Sequence, residues 1–574
     1  MLPKILTFTR PFPRTLAFTC PFPRTLAFMR PFPRTLAFHA SLSVLLAFCA
    51  SPAAAQDSLL LRDYRYVVQQ SPWLTGTNAA ALTTYSSANI AQAEVALGYG
   101  HGKLTGYSMP TTVLQVSADV ASYYRMSSRT VVYGRMAYDN ISGRDATGSV
   151  FMPIGELLRP FDIVEDSVTN AGRKHSDVYS LTGGVGIDLW RGYSVGARID
   201  YTSGNYAKYK DLRHKNSLMD LQATASAFAP LTDWLSVGAS YTYRRRTESL
   251  VFSVNGKSEK VYKSLIDYGA MMGIVEQFGN EGYTDKSNEM PLFEEGHGGS
   301  FQTEVRPMSG LSVYAAVSYA SADGYYGRRS PFTITYTDHD RDQLTLQTRV
   351  SYVMPNRRAA HYIDVSYGDQ RVHNRANTFR LLNNSSGATH YEYYDPVETG
   401  DKRERLLTAD YTAHWGIDGE LPAWTLTAGY HWQRRTQRAY LYPFYRMQQL
   451  TVKEVAVGLQ RNLRAARNGV LSLALSAAYR KGAGDPYVDG TFVTPDASQQ
   501  QPATMSEFLM RDYHEMTAPQ YRVGLETKYA FVVDALRLRP YVRLAFDHRQ
   551  ATNTDNYPDG RNYTQVAVAV GCTF

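Results

Sequence analysis

Two alternating rows of side chains recur along this chain. In residues 193–201 one row reads Tyr, Val, Ala, Ile and Tyr, and the other reads Ser, Gly, Arg and Asp. An α-helix repeats about every 3.6 residues, whereas successive side chains of a β-strand point to opposite faces. The period of two therefore predicts strands with one apolar and one polar face. The same pattern is found in residues 235–244, 311–319, 424–432, 471–479 and 538–546.

The apolar row commonly finishes on an aromatic side chain. Examples are Tyr201, Tyr243, Tyr319, Trp432, Tyr479 and Phe546. Amphipathic rings settle at the headgroup level of a bilayer, and a soluble β-sandwich gives no reason for that repetition. The polar row is rich in Gly, Ser, Thr and Ala rather than in the large aliphatic side chains of a sandwich core. The pattern therefore indicates apolar faces turned to lipid and polar faces turned to a water-filled lumen.

Short and long connections alternate between the predicted strands. The tight connections lie at 190–193, 231–234, 307–310, 355–359, 416–423, 463–469 and 532–536. The long polar connections lie at 142–174, 203–216, 252–297, 322–340, 371–402, 437–448, 481–517 and 549–561. Outer-membrane barrels have short periplasmic turns and long extracellular loops. The sequence thus predicts an all-β fold: a single transmembrane antiparallel β-barrel over residues 91–574, of about 18 strands, with 14–18 compatible with the pattern.

The N-terminus has the composition of an export signal. Three near-identical copies of a proline-rich unit precede residue 39, and Met29 begins a stretch with two arginines, an apolar run over residues 42–50 and an Ala-x-Ala sequence ending at Ala55. These are the parts of a secretory signal peptide. We predict that residues 1–55 are a signal peptide with a repeat extension, and that translation starts at Met29.

Removal of residues 1–55 changes what the charge of the chain means. The segment holds six Lys and Arg residues and no acidic ones, so the net charge falls from +8 to +2. The excess of basic residues in the whole chain therefore does not indicate nucleic-acid binding, and we predict that the protein binds no nucleic acid. Only Cys572 remains of the three cysteines, which excludes an intrachain disulfide in the mature protein.

Residues 56–90 precede the first strand and lack strand periodicity, so we expect a plug-like periplasmic segment tucked inside or under the barrel mouth. The sequence Asn-Ala-Ala-Ala-Leu at 78–82 resembles the N-terminal stretch of FadL-like barrels, where such a turn leads into the first strand. Over its full length, with the opening SPWLTGTNAAAL, the chain resembles an uncharacterised family of Bacteroidota outer-membrane β-barrels. That resemblance implies an accessory role beside TonB-dependent receptors in nutrient or metal uptake.

Charged residues on the polar rows are the candidates for a functional lumen. They are Arg135, Asp139, Arg198, Asp200, Arg244, Asp364, Arg543 and Asp547. One interpretation is a mixed-charge constriction that filters or binds a solute. The other, which we favour, is a set of interior ion pairs that brace the barrel, because opposite charges pair readily and no ring of one sign is present.

Several connections carry other candidate chemistry. Residues 337–342 place three carboxylates around His339, an arrangement that could activate water or hold Ca²⁺, although a solvated loop is the favoured interpretation. Residues 265–278 are apolar enough for a short helix, either plugging the lumen, which we favour, or forming an outer lid. Tyrosine clusters at 389–396 and 440–447 suit sugar stacking or a protein partner. They equally suit strands that extend beyond the membrane, which we expect.

The C-terminal residues alternate with the period of two that is typical of a β-strand. Val566, Val568, Val570, Cys572 and Phe574 share one row, which we predict to face lipid. The terminal Phe574 resembles the signal by which the outer-membrane assembly machinery recognises its substrates. This strand must pair with the first one, because an open sheet edge is not tolerated in lipid.

The predicted function is that of a porin-like channel or accessory protein for uptake of a small solute, nutrient or metal across the outer membrane of a Gram-negative cell. We predict no enzyme activity, no cofactor and no metal site, since no Cys/His cluster has zinc spacing. The alternatives are a structural or secretion-associated barrel that binds protein partners, and a hydrolase at the rim built on His339. The predicted partners are outer-membrane lipid, the barrel assembly machinery, and a TonB-dependent receptor or surface lipoprotein.

Overall fold

Strands dominate the computed structural model, which describes residues 62–153, 158–165, 167–255, 259–279, 282–286, 288–383, 389–465, 469–533, 538–552 and 560–574. The predicted signal peptide and the predicted start at Met29 lie outside these residues. The helices are α1 (Tyr64–Gln69), α2 (Ser506–Thr517) and three short 3-10 helices at Pro72–Leu74, Ala79–Thr84 and Val168–Asn170. The strands are β1 (Ile90–Gly102), β2 (Thr112–Arg125), β3 (Thr130–Ala146), β4 (Asp162–Glu165), β5 (Gly172–Trp190), β6 (Tyr193–Lys208), β7 (Arg213–Pro230), β8 (Leu235–Ser253), β9 (Lys263–Gly269), β10 (Met272–Gln277), β11 (Met290–Met308), β12 (Leu311–Ser330), β13 (Thr333–Val353), β14 (Ala359–Ala376), β15 (Phe379–Asn383), β16 (Thr389–Tyr393), β17 (Val397–Trp415), β18 (Trp424–Leu441), β19 (Phe444–Ala465), β20 (Gly469–Ala483), β21 (Val488–Thr491), β22 (Ala503–Thr504), β23 (Gln520–Phe531), β24 (Arg539–Ala551) and β25 (Asn562–Thr573).

One antiparallel sheet closes on itself. It contains 19 strands, of which β21 pairs only with the far end of β19, so that 18 strands form the ring. The ring closes where β1 pairs with both β2 and β25, with Val95 opposite Ala118 on one side and Val570 on the other. The predicted all-β class, the single barrel and the count of 18 are confirmed.

Tight turns join the strands at one end of the barrel, called here the short-turn end. Between β5 and β6 the turn residues Arg191 and Gly192 both have positive φ, 50° and 87°. Two such residues make a hairpin turn whose twist matches that of the paired strands. A Cβ at position 192 would lie 2.9 Å from the ring of Pro230, so glycine is needed there for space as well.

At the opposite, long-loop end, three of the predicted loops are wrong. Residues 203–216, 322–340 and 437–448 are mostly strand, and the connections shrink to 209–212, 331–332 and 442–443. Beyond the apolar belt both faces of a strand are polar, so the period of two disappears from the sequence although the pairing continues. The tyrosine clusters accordingly lie in extended structure, at the β18–β19 turn and on the β15–β16 hairpin.

The outer face carries the apolar row of each strand. On β25, Val566, Val568 and Val570 are 44%, 49% and 53% exposed. Cys572 differs from the prediction, because it is buried near the seam rather than exposed on this face. Among the described helices, none is both long and apolar enough for a membrane span.

A second, small sheet is assembled from three different long-loop connections. It has the strand order β22, β10, β9, β4, with β4 from the β3–β5 connection, β9 and β10 from the β8–β11 connection, and β22 from the β20–β23 connection. We call it the cap sheet. Residues 265–278, which the sequence suggested as a helix, are the β9–β10 hairpin of this sheet. That expectation was wrong because both faces of the cap sheet are buried. The consecutive residues Leu265 and Ile266 lie on opposite faces, so the strand reads as a continuous apolar run rather than as an alternation.

Candidate functional site

Ion pairs within and between strands line the polar face of the barrel wall. Arg135 pairs with Asp119 at 2.7 Å, Arg244 with Asp220 at 2.6 Å, and Arg198 with Asp200 at 2.7 Å. Arg349 pairs with Asp364, Arg522 with Asp547 at 2.6 Å, and Arg543 with both Glu94 and Glu526. Asp139 accepts a hydrogen bond from the Gln115 amide at 3.0 Å. The sequence-predicted charged residues are thus distributed around the wall rather than brought together at one point.

The partners of these residues were missed by the sequence analysis. Five of them lie on a strand adjacent to the predicted residue: Asp119, Asp220, Glu526, Arg349 and Arg522. The sixth, Glu94 on β1, reaches Arg543 on β24 across the intervening β25. Such a partner could be recognised by a charge of opposite sign at the position that pairs with the predicted residue on the next strand. Register between strands cannot be read from a single strand, so the alternation alone could not find them.

Several of these side chains are open to water at mid-height. Asp119 and Arg135 are 43% and 51% exposed, and on the far strands Asp410 and His431 are 47% and 44% exposed while lying 3.1 Å apart. Towards either end the same inner face is filled. Glu294 and Arg341 are only 7% and 5% exposed near the long-loop end. Space open to water therefore remains beside these side chains within the lumen.

The N-terminal segment, residues 63–85, fills the short-turn end. The Trp73 indole donates to Glu304 Oε2 at 2.7 Å, and its ring packs edge-on against Phe228 and Tyr314. Asn78 Nδ2 donates to the Ala227 carbonyl at 3.0 Å. On the other side Tyr123 donates to the Leu74 carbonyl at 3.0 Å. Contacts with β2, β7, β11 and β12 at once place the segment inside the ring.

Glycines in the wall let the segment approach its backbone. A Cβ on Gly196 would lie 2.2 Å from the backbone nitrogen of Ala80, and one on Gly186 would lie 2.5 Å from the Ala79 carbonyl oxygen. On β8 a Cβ at Gly238 would meet Asn78 Nδ2 at 2.6 Å. These positions require glycine for close approach, because the blocking atoms are mostly backbone and cannot move aside.

The cap sheet lies inside the long-loop end. One of its faces packs through Ile163, Ile266 and Met272 on a cluster with Phe252 of β8 and Tyr326 of β12. Its other face packs on Phe508 and Leu509 of α2, and α2 is itself tied to the wall by the 2.6 Å ion pair of Asp512 with Arg435 of β18.

Buried polar groups of the wall fasten the chain leading into β4. Lys174 Nζ donates to the carbonyls of Thr147 and Ser149 at 3.0 and 2.7 Å. Glu248 accepts from the Met152 amide at 2.7 Å. Buried polar groups are retained where they are satisfied, and here they fix one position of the cap against the wall.

Two carboxylates face each other within the cap sheet. Asp162 of β4 lies directly opposite Asp267 of β9. Asp162 accepts from the Tyr107 hydroxyl at 2.6 Å and from Ser149 Oγ at 2.7 Å, and Asp267 accepts from the Gly269 amide at 2.9 Å. Burial raises the pKa of Asp267 to about 6, with Asp162 adding to the rise and Lys402 opposing it.

The proposed rim site on His339 is not formed. Residues 337–342 lie within β13, so successive side chains point to opposite faces. His339 is buried, 3.6 Å from Glu294, whereas Asp338 pairs with Arg329 and Asp340 with Arg375. The three carboxylates therefore do not surround the imidazole. Among the described residues there is no group of three or more His, Cys, Asp or Glu that could hold a metal ion.

A closed ring with an apolar exterior and a polar interior defines the class of transmembrane β-barrels. Within that class, the chain belongs to the family of unknown function DUF6850, whose model matches residues 79–574. No curated protein is detectably similar to the chain in sequence.

Solved barrels are similar in outline only. The outer membrane transporter YddB from Escherichia coli is 7% identical with a TM-score of 0.38, covering 85% of this chain and 81% of that one. The ferric-catecholate import receptor Fiu from E. coli K12 is 8% identical with a TM-score of 0.37, covering 85% and 82%. The toluene transporter TbuX from Ralstonia pickettii is 12% identical with a TM-score of 0.30, covering 87% and 92%. Likeness at this level carries no argument about what the present barrel transports or binds.

Proposed function

We propose that this barrel spans the outer membrane of a Gram-negative cell and passes or captures a small polar solute, as an accessory to an active uptake system. The exposed valine row of β25 and its equivalents on other strands support a lipid-facing exterior. Barrels are one of the two structures that satisfy every backbone polar group within lipid. The predicted signal peptide agrees with export.

The water-accessible space beside the charged side chains of the lumen carries this proposal. A barrel that served only as a scaffold would gain stability from a filled interior, as small barrels do. Here charged side chains at mid-height remain about half exposed, as Arg135 and Asp410 illustrate. Space lined by paired charges and hydroxyls offers both donors and acceptors, which suits a small polar or zwitterionic solute better than an ion of one sign.

The two inserted parts act as closures in this proposal. The N-terminal segment is the plug at the periplasmic side, and the cap sheet closes the extracellular mouth. Solute passage requires that both move. The lumen-facing set Arg135, Asp139, Arg198, Asp200, Arg244, Asp364, Arg543 and Asp547 then lines the path between them, with the ion pairs holding the wall in shape.

Single-channel conductance in planar bilayers tests the proposal. The wild-type barrel is compared with a variant in which residues 263–277 are replaced by a short Gly-Ser linker, and with the same deletion combined with Gly196→Val. We expect conductance to rise from wild type to the deletion and again in the double variant, since the two closures lie in series.

A matched control is a barrel that lacks residues 380–392 of the β15–β16 hairpin and keeps Phe379, which packs against the cluster under the cap sheet. This deletion removes a similar length from the same end but leaves the cap sheet in place, so conductance is expected to remain at the wild-type value. If the double variant, correctly folded, gave no channel, the transport proposal would be wrong.

A partner-binding role is the second candidate, because aromatic side chains protrude at the long-loop end. Tyr442 and Phe492 are 67% and 57% exposed and stack with their ring centroids 6.5 Å apart. Exposed rings of this kind are typical of interface anchors. A photo-cross-linker at position 442 is expected to capture a surface protein in cells, and the absence of any specific product would contradict this role.

A further inference from the structure

Arginines cluster on the outer wall directly beyond the apolar belt. Tyr367, Leu407 and Trp432 lie opposite one another across β14, β17 and β18 and form the last apolar row. The next outward-facing rows along these strands contain Arg371, Arg403, Arg405, Arg434 and Arg438, together with Asp369 and Asp401. We call these residues the arginine rows. With five cations and two anions, they carry an excess positive charge.

Register places like charges against each other in these rows. Arg371 lies directly opposite Arg403, and Arg405 lies directly opposite Arg434. Facing side chains of adjacent strands are about 5 Å apart at Cβ, and like charges at that position are destabilising. A wall that needed only folding stability would not place two such pairs side by side.

The nearby carboxylates neutralise only part of this charge. Asp342 of β13 lies directly opposite Arg371, and Glu398 lies 3.6 Å from His373 beyond the rows. Asp401 accepts from Arg371 at 3.0 Å and from Arg438 at 2.8 Å. Asp369 accepts from Arg403 Nε at 2.8 Å, whereas Arg405 Nε lies 3.4 Å away and is buried without a hydrogen-bond acceptor in the described structure. The Arg405 side chain as a whole is 33% exposed, so an anion at the outer surface can approach its guanidinium group.

Elsewhere on the ring the corresponding position has no such charge. On β24, β25 and β1 the last apolar row is Phe546, Val566 and Tyr99, and the next outward row is His548, Thr564 and His101. The three strands at the seam therefore lack this positive charge. It continues instead on the neighbouring strands β19 and β20, where Lys453 lies opposite both Trp432 and Lys481.

We propose that the arginine rows bind the phosphate groups of an anionic lipid headgroup in the outer leaflet of the membrane. Position and charge both favour this ligand. The rows adjoin the lipid-facing belt and face away from the lumen. Their guanidinium groups have the geometry that binds two phosphate oxygens at once. This inference rests on the membrane placement of the barrel but not on solute passage.

Lipid retention measured by native mass spectrometry tests the inference. The purified full chain in detergent is titrated with lipid A bisphosphate, with its dephosphorylated form, and with inorganic phosphate. We expect the bisphosphate to be retained, and the apparent affinity to fall by about tenfold or more in the Arg405→Gln, Arg434→Gln double variant, because charge-assisted hydrogen bonds to two guanidinium groups are lost.

The control is the Arg245→Gln, Arg329→Gln double variant, which removes two exposed arginines of other strands. Both barrels should keep the heat-dependent gel mobility of the folded wild type. Equal loss in the two variants, equal retention of the dephosphorylated lipid, or full displacement by inorganic phosphate at equal phosphate concentration would overturn the proposal. A dimer abolished by the Arg405→Gln, Arg434→Gln variant, without lipid retention, would assign the rows to a second copy and would overturn it too. Conductance in lipid-A-free bilayers remains a separate test of transport.

Discussion

At the scale of single residues, glycines decide where the N-terminal segment lies. Gly186, Gly196 and Gly238 sit on three strands of the wall, and each faces a main-chain or side-chain atom of residues 78–80. Such positions differ from Gly134 and Gly183, where an added Cβ would meet nothing within 4 Å. The docking of the N-terminal segment therefore depends on a few inward-facing positions, which can be substituted without changing the apolar residues of the outer face.

Gly196→Val is expected to displace the N-terminal segment while the barrel stays closed. The added side chain would clash with the backbone of Ala79 and Ala80, and β-branched residues are otherwise favoured in strands. A cysteine introduced at Ala80, which is fully buried, should then react with a water-soluble thiol reagent. Gly183→Val on β5 is the control, because nothing lies within 4 Å of a Cβ there, and it should leave position 80 protected. Protection of position 80 in both variants would contradict this account of the docking.

Asp267 makes the cap sheet sensitive to pH. Burial raises the pKa of this carboxyl from 3.8 to about 6, so folding favours its protonated form. The resulting stabilisation is complete below about pH 4 and is lost as the pH rises through about 6, a change of about 2–3 kcal/mol. Amide exchange of residues 263–277, corrected for the intrinsic pH effect, should therefore be slower at pH 4.5 than at pH 7.5.

The matching variant is Asp267→Asn, which should weaken the pH dependence of cap protection. Glu276 of β10, whose pKa is also raised by burial, supplies the remainder. Asp496→Asn in an exposed loop changes the same charge and should leave the wild-type pH dependence in place. Faster exchange of the cap in wild type at pH 4.5 than at pH 7.5 would show that the sign argued here is wrong.

At the scale of elements, the seam between β25 and β1 brings the chain terminus into the ring. Phe574 donates from its amide to the Ala91 carbonyl at 2.9 Å and accepts from the Ala91 amide at 3.3 Å. The backbone of the last residue is thus paired, while its aromatic ring is available to act as the predicted assembly signal.

Phe574→Ala separates these two roles. The substitution keeps both backbone hydrogen bonds, so refolding in detergent should be nearly unchanged, but surface levels in cells should fall if the ring is read during assembly. Deletion of Phe574 should impair both, since it also removes two hydrogen bonds worth about 0.5–1.5 kcal/mol each. Phe531→Ala, at the equivalent end of β23, is the control. Equal surface levels of the Phe574→Ala and Phe531→Ala barrels would argue against a terminal signal.

The barrel strands could be predicted from sequence, whereas the cap sheet could not. Strand alternation is a local property, so segments such as residues 193–201 indicate their own structure. The β9–β10 hairpin turns at Ala270 and Met271, with φ of 50° and 56°, where glycine or asparagine would have given the usual signal. Tertiary contacts hold these residues instead. One of them is the 2.8 Å hydrogen bond that the Ala270 amide donates to Gln437 Oε1. Nothing local to residues 265–278 encodes those contacts.

At the scale of the whole molecule, the inner wall is nearly balanced in charge. Arginines and carboxylates alternate around the ring as neighbouring pairs, so the field inside an opened barrel should be weak beyond about one Debye length, roughly 8–10 Å at physiological salt. The contribution of such a wall to selection is through size and hydrogen bonding rather than through one sign of charge.

Ion selectivity of the opened barrel measures that balance. The variant with residues 263–277 replaced by a linker should show a reversal potential close to zero in a KCl gradient. Asp410→Asn combined with Glu454→Gln removes two carboxylates that flank His431, and should shift the opened channel towards anions. Strong cation or anion selectivity before this change would contradict a charge-balanced lumen.

The construction of the cap sheet has a consequence for the order of folding. Its strands come from connections about 100 and more than 200 residues apart along the chain, since β4 pairs with β9 and β10 pairs with β22. Contacts of such high sequence separation form late, because the entropy of closing the intervening chain must be overcome first. Once β3 through β23 are in place, that closure has already been accomplished by the wall. We therefore expect the long-loop end to acquire its structure late, and an ordered cap to be a marker that β3 through β23 of a given copy have paired.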